Sequence, residues 1–206
     1  GVFVLAAIMA GLMVFQSLRA DHNAQLVLVR QNELEAQSRA FSELSSQAAM
    51  FDPTDAESFN QLTTIVTKAA GVRRTSVWHF DGDFNSLRCF KCYDHESGGH
   101  TRDSLLTAAD FPQLFGVLQK GAAIRTTNAS GENWLTELYP VYLMPLGCES
   151  LLVAPIRHQD EVVGSLWFEN EHMSRDWSAE EISFAHAIAS MLALRFSMDR
   201  RSSLSL

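Results

Sequence analysis

The two clearest strands of the chain lie in one stretch, Ser150-Leu-Leu-Val-Ala-Pro-Ile-Arg157 followed by His158-Gln-Asp160 and Glu161-Val-Val-Gly-Ser-Leu-Trp-Phe-Glu169. Both runs are rich in the β-branched and aromatic residues that favour strands. Only a short polar segment separates them, which is typical of a β-hairpin. The stretch therefore predicts two neighbouring antiparallel strands.

A helix is predicted directly after this hairpin. Ser178 can cap it, and Glu181 completes a capping box three residues later. Apolar residues then recur at helical spacing, which indicates one buried face. These residues are Ile182, Ala185, Ile188, Ala189, Leu192 and Phe196. Residues 201–206 are predicted to form a polar tail.

A second hairpin and several short elements are predicted before the first one. Thr54 or Asp55 can cap a helix that continues to Gly71. Strands at 75–80 and 87–93 flank turn residues, and a Gly-rich loop follows at 97–100. Short helices from Phe111 and over 132–138 enclose a short strand at 122–127. This order predicts an α+β fold, a mostly antiparallel sheet flanked by helices.

The first 51 residues are predicted to be two helical segments. Residues 1–15 carry no charge and no proline, so 1–17 is interpreted as the end of a transmembrane helix, with a signal-peptide core or a buried helix as alternatives. Residues 18–51 are predicted to be a long signalling helix. Its apolar seven-residue spacing favours a dimeric coiled coil, and the alternative is a spacer helix packed on its own domain. The seam residues are Val27, Leu34, Phe41, Leu44 and Ala48.

Composition excludes some classes of function. The formal net charge is -8, whereas a general nucleic-acid binder needs a basic face for phosphates. Three cysteines do not make a disulfide framework, which favours a reducing compartment. No sequence signature of an enzyme is found, so no catalysis is expected.

The residues from about Ser58 to Met198 resemble bacterial GAF domains. The likeness is carried by a series of motifs in one order: 76–80, 87–89, 110–112, 142–147, 150–157, 163–164, 169–172 and 177–180. The chain departs from the family pattern at Asn128-Ala129 and Trp167-Phe168. The resemblance implies a GAF domain over 52–200. Such domains bind small ligands between the sheet and the short helices, or dimerise and relay a signal.

A candidate ligand pocket follows from that resemblance. It would be apolar and aromatic with a few polar groups, as small-molecule sites usually are. The alternative is that the same aromatic residues fill the core. The candidate residues are Trp78, Phe80, Phe90, His100, Phe111, Phe115, Arg125, Trp134, Tyr139, Tyr142, Trp167 and Glu169.

Metal or redox chemistry is the weaker interpretation of the cysteines and histidines. Cys89 and Cys92 have a CxxC spacing, but on a regular strand residues three apart face opposite sides. His100 and His172 could meet in a pocket, although exposed or packed histidines are commoner. We therefore predict no resident metal or cofactor. Asn128-Ala-Ser130 matches a glycosylation acceptor by chance.

Three functional hypotheses remain open. The first is a sensory or regulatory module, anchored in a bacterial inner membrane with the GAF domain in the cytoplasm, that relays a signal as a homodimer. The second is an accessory or scaffold subunit of a larger membrane complex. The third, a haem or redox sensor, rests only on the histidines and cysteines. A small-molecule ligand of unknown identity is compatible with the first.

Overall fold

A computed structural model of the chain describes residues 2–47, 50, 55–81, 83–171 and 175–203, and the side chains of all of these except 2–7, 56 and 198–203. Within these residues, four α-helices run over Val2–Ser46 (α1), Ala56–Ala70 (α2), Pro112–Leu118 (α3) and Ala179–Ser203 (α4). Short helical turns lie at Ala129–Gly131, Asn133–Leu135 and Tyr139–Leu143, the last with π-helical winding.

One antiparallel sheet joins all the strands of the described residues. They are Arg74–Phe80 (β1), Ser86–Asp94 (β2), Gly99–Thr101 (β3), Leu105–Thr107 (β4), Ile124–Thr126 (β5), Ser150–His158 (β6) and Glu161–Asn170 (β7). The order across the sheet is β3-β2-β1-β7-β6-β5. Strand β4 lies outside this order and also pairs with β2. Both predicted hairpins, β1–β2 and β6–β7, are confirmed, as is the α+β class.

The two faces of the sheet carry different layers. The end of α1, α2 and α4 pack on one face around Phe59, Val77, Leu166 and Phe196. The other face is covered by α3, the short helical turns and their loops. We call these the helix-side layer and the loop-side layer. At the centre the strands approach closely, since a Cβ on Gly164 would lie 2.2 Å from the Trp78 carbonyl oxygen.

Capping side chains set where two helices begin. The Asp55 carboxylate accepts hydrogen bonds from the backbone N–H groups of Glu57 and Ser58 at 2.9 and 3.3 Å, which fixes the start of α2. Before α4, Ser178 N–H donates to Glu181 at 2.8 Å, and Glu181 N–H donates to the Ser178 hydroxyl at 3.2 Å. The predicted capping box is therefore present, because each residue satisfies an otherwise unpaired amide.

The first helix is continuous across the two segments predicted from the sequence. It spans 45 residues, and its described apolar side chains from Ile8 to Val29 are exposed. Over the described residues, no helix combines the length and apolarity that a membrane crossing needs. The predicted transmembrane helix at 1–17 is therefore not supported.

The residues of the predicted dimer seam on α1 differ in their exposure. Val27, Leu34 and Phe41 are exposed, whereas Leu44 is fully buried in the helix-side layer. Leu44 is thus unavailable to a partner helix, because α1 ends against α2 and α4 of its own domain. Ala48 lies outside the described residues.

A β-bulge in β2 alters which residues share a face. Trp78 pairs with Cys89 but Val77 pairs with Lys91, so Phe90 is the extra residue. Such a bulge shifts the alternation of side chains by one position. Cys89 and Cys92 therefore both face the loop-side layer, and the prediction that they face opposite sides is wrong.

Candidate functional site

An aromatic cluster fills the middle of the loop-side layer. The rings of Trp78 and Trp167, on neighbouring strands, lie with centroids 4.9 Å apart. Tyr142, from the π-helical turn, meets both edge-on at 5.9 and 6.2 Å. Both tryptophans are completely buried. This part of the layer is packed solid, so a ligand has no room between the two indole rings.

A buried polar network borders that cluster. The Glu169 carboxylate accepts hydrogen bonds from Arg74 Nε and Nη2 at 3.0 and 2.9 Å. It also accepts from the hydroxyls of Ser76 and Tyr142 at 3.1 and 3.2 Å. Trp78 Nε1 donates to the Ser76 hydroxyl at 2.8 Å. Every one of these groups is buried or half-buried, so the network fixes the π-helical turn to β1 and β7.

The network perturbs the titration of its members. Burial acts to lower the pKa of Arg74, but Glu169, with Tyr142 and Cys92, raises it overall. Burial and then the Glu169 charge hold the pKa of Tyr142 well above its ordinary range. At neutral pH Arg74 is therefore cationic. Tyr142 is a neutral phenol whose hydroxyl group donates a hydrogen bond to Glu169.

A cavity of about 410 Å³ opens beside the network. Its floor comes from β1 and β2, its roof from the π-helical turn and the residues after it, and one wall from the segment around β3. It is partly open to solvent. The lining residues are Arg74, Cys89, Cys92, Asp94, Ser97, Gly99, Thr101, Ser104, Val141, Tyr142, Pro145 and Leu146.

The cysteines of this face are buried thiols. All three, Cys89, Cys92 and Cys148, are free, and two of them line the cavity. Burial, followed by the charge of Glu169, raises the pKa of Cys92 and of Cys148 to about 12. The thiolate is the reactive form, so these groups are poor nucleophiles at neutral pH. They act as apolar lining.

The predicted pocket residues fall on both sides of the sheet. Nine lie in the loop-side layer, namely Trp78, Phe80, Phe111, Phe115, Trp134, Tyr139, Tyr142, Trp167 and Glu169. Of these only Tyr142 lines the cavity itself, because most of the others are packed against one another. A ligand-binding role for them stays a prediction.

Three predicted pocket residues lie on the helix-side face instead. Phe90 is turned there by the bulge and meets Phe59 with ring centroids 4.4 Å apart. His100 Nε2 lies 3.1 Å from the Asn60 carbonyl oxygen, on α2. Arg125 donates to the Trp177 carbonyl at 3.2 Å. Their placement in the pocket was wrong, because strand alternation and the bulge direct them to the other face.

Several residues that line the cavity were not predicted from the sequence as pocket residues. They are mainly Arg74, Asp94, Val141, Cys89 and Cys92. Alternation backward from Trp78 places Arg74 and Ser76 on the same face, so a signal for Arg74 was available. The bulge had no comparable signal. Among the described residues no cluster of histidine, cysteine and carboxylate side chains has a geometry that could hold a metal ion. His172 lies outside the described residues, so its predicted meeting with His100 is not described.

Among curated proteins none matches this chain. The GAF domain of an Acinetobacter phosphoenolpyruvate-protein phosphotransferase is similar in structure, with 18% identity and a TM-score of 0.61 over 83% of this chain and 96% of that one. The phycocyanobilin-bound GAF domain of a cyanobacterial phytochrome has 19% identity and a TM-score of 0.61 over 83% and 97%.

An enzyme is also among the similar structures. Free methionine-R-sulfoxide reductase from Neisseria meningitidis, solved with its substrate, has 13% identity and a TM-score of 0.62 over 82% of this chain and 91% of that one. Identities this low show a shared fold alone. The sequence profile of the GAF domain matches residues 56–196. This match spans most of the chain and every strand of the sheet, and the chain belongs to the GAF domain family.

Proposed function

We propose that this chain is a sensory or regulatory module without catalysis of its own. A small ligand would enter the cavity beneath the π-helical turn, and the effect would pass to the flanking helices α1 and α4. The observation that carries the proposal is the bulge at Phe90. This residue sits in the sequence between the two cavity-lining cysteines, yet its ring lies on the helix side.

Contacts continue from Phe90 to the junction of the helices. Phe90 packs on Phe59 of α2, and the guanidinium of Arg195 lies 3.8 Å from the centre of the Phe59 ring. Arg195, on α4, donates hydrogen bonds to the carbonyls of Met50 and Asp55 at 3.0 and 2.5 Å. Movement of the cavity floor would therefore reach the connection between α1 and α2.

Self-association through α1 and α4 is the second part of this proposal. A groove of about 570 Å³ runs between the two helices, lined by Leu34, Phe41, Phe184 and Ala187 among others. A second patch on α1, around Leu26 and Val27, continues it. A second copy of the same helix pair would cover both patches in a parallel bundle, as coiled-coil seams do.

The alternative function is a scaffold or accessory subunit of a membrane complex. Exposed apolar side chains on α1 favour it, since large patches of this kind mark protein or membrane contacts. They include Ile8, Leu12, Phe15 and Leu18. Under this alternative the cavity would need no ligand, and the domain would serve as a docking unit.

Ligand-dependent thermal unfolding would separate the two functions. The full chain would be heated with a panel of small metabolites, beside a Val141→Trp variant whose larger side chain would occupy the cavity mouth. The sensory proposal expects at least one compound to raise the Tm of the wild type and not of the variant. A panel without effect, or with equal effects on both proteins, would favour the scaffold.

A further inference from the structure

The charges around the cavity decide which ligands it can accept. Arg74 is held by the buried Glu169 carboxylate, and its Nη1 lies 3.7 Å from Asp94 Oδ2. Arg73, which precedes it in the chain, pairs with Asp94, Glu96 and Glu171, and of these partners Asp94 lines the cavity. These pairs involve two guanidinium groups and four carboxylates, which leaves two negative charges in excess.

The charge of Glu169 also acts on two buried thiols, of which Cys92 lines the cavity. After burial itself, the Glu169 charge is the largest influence that raises the pKa of Cys92 and Cys148, and it outweighs the opposite influence of Arg74. At Cys92 in the cavity floor, the charge of Glu169 therefore outweighs that of Arg74. An anionic group entering the cavity would meet Asp94 in the lining, with the buried Glu169 carboxylate bound to Arg74 nearby, and like charges in a site of low dielectric repel strongly.

Within the part of the chain that the structure describes, no group donates a hydrogen bond to the second carboxylate oxygen of Asp94, a residue of the cavity lining. Its Oδ1 accepts from Arg73 Nε at 3.0 Å and from the backbone amides of Glu96 and Ser97 at 2.9 and 3.1 Å. Its Oδ2 has Arg74 Nη1 at 3.7 Å, beyond hydrogen-bond distance. Burial raises the pKa of Asp94, but Arg73 and these amides lower it overall, so the carboxylate is ionised at neutral pH.

Much of the remaining lining is apolar, beside the hydroxyl groups of Ser97, Thr101 and Ser104. Two neutral thiols form the floor, and Val141, Pro145 and Leu146 form the roof. Apolar walls with one charged acceptor suit a molecule that has an apolar body and one donor end. We propose that the cavity binds a compact apolar amine, protonated and without any anionic group, with its ammonium on Asp94. The proposal rests on the proposed sensory function and names the ligand class of that same cavity.

The test compares three molecules with one phenyl ring and different ends. 2-Phenylethylamine, 2-phenylethanol and phenylacetate would be titrated into the full chain by calorimetry. A charge-assisted hydrogen bond to Asp94 predicts that the amine binds about tenfold more tightly than the alcohol. Phenylacetate should bind most weakly of the three. Asp94→Asn should remove the preference for the amine, whereas Asp160→Asn, in the exposed β6–β7 turn, should not.

The possible results separate the ligand class from the function. If phenylacetate bound as tightly as the amine, the ligand class would be wrong while the cavity remained a ligand site. If none of the three bound to the wild type, both the class and the cavity site would be overturned. Should Asp94→Asn fail to fold, salt dependence of the wild type replaces it: the affinity for the amine must fall with ionic strength and that for the alcohol must not.

Discussion

Arg74 and Glu169 join two neighbouring strands through hydrogen bonds of 3.0 and 2.9 Å, although Glu169 has no exposed surface. Register explains the contact, because Arg74 is directly paired with Glu169 across β1 and β7. A buried carboxylate is tolerated only when its partners satisfy it. The pair therefore holds β1 and β7 together, and it leaves Asp94 as the carboxylate that lines the cavity.

Removing one member of this pair should be costly. Arg74→Met leaves an uncompensated buried carboxylate, and we expect it to lower the free energy of unfolding by about 3–5 kcal/mol. Urea denaturation followed by circular dichroism measures this. The matched control is Arg88→Met, whose exposed contact with Asp81 spans 4.0 Å and should contribute about 0–1 kcal/mol. Equal losses in the two variants would contradict the buried-pair argument.

Stability should fall in alkaline solution because of the thiols. Their pKa lies near 9.0 in an unfolded chain and is raised to about 12 for Cys92 and Cys148 in the fold, chiefly by burial. Between these values the unfolded state releases protons that the folded state keeps, so unfolding becomes easier as pH rises above about 9. Urea midpoints at pH 8, 9 and 10 would show it. Cys148→Ala should flatten the dependence, and an unchanged slope in that variant would count against the cause.

Truncating Phe90 should loosen the junction of the helices. Phe90→Ala removes the ring that packs on Phe59, a kind of contact worth about 0.5–1.5 kcal/mol beyond its buried area. Hydrogen exchange read by mass spectrometry should become faster in peptides from α2 and the second half of α4. Leu105→Ala, a similarly exposed apolar residue on β4, is the control. If both variants exchanged alike, Phe90 would have no special link to the helices.

Self-association should depend on the exposed seam of α1. Leu34→Asp and Phe41→Asp place charges in the groove between α1 and α4, so the dimer should weaken more than tenfold. Sedimentation equilibrium of the full chain measures the dissociation constant. Leu105→Asp should leave it unchanged, because β4 lies at the far side of the sheet. A wild type that stayed monomeric at high concentration would refute the seam.

Sequence patterns predicted the elements of this fold that depend on residues close together in the chain. The capping box of Ser178 and Glu181 and the β6–β7 hairpin depend on neighbours in sequence, and both are present. The short strands β3 and β4 were missed. Each has only three residues and exists because β2 offers an edge to pair with.

The candidate site was harder to predict because it depends on distant contacts. His100 and Phe90 are aromatic residues near the predicted pocket. His100 contacts α2, however, and the bulge turns Phe90 to the helix-side face. Neither the contact with α2 nor the bulge has a recognisable sequence motif. Asp94 likewise gains its role only when Arg73, Arg74 and the following turn meet around it.

The first helix has a mechanical consequence. Its contact with the domain begins at Arg30, which pairs with Glu180. Further along the helix, Ala40 and Leu44 are buried against the domain. The 28 residues from Val2 to Val29 extend about 40 Å beyond that base. On such a lever, a tilt of about 5° at the base displaces the far end by about 3–4 Å, on the 1.5 Å rise per residue of a helix. Shifts too small to notice inside the domain would thus become movements of side-chain size at the other end of α1.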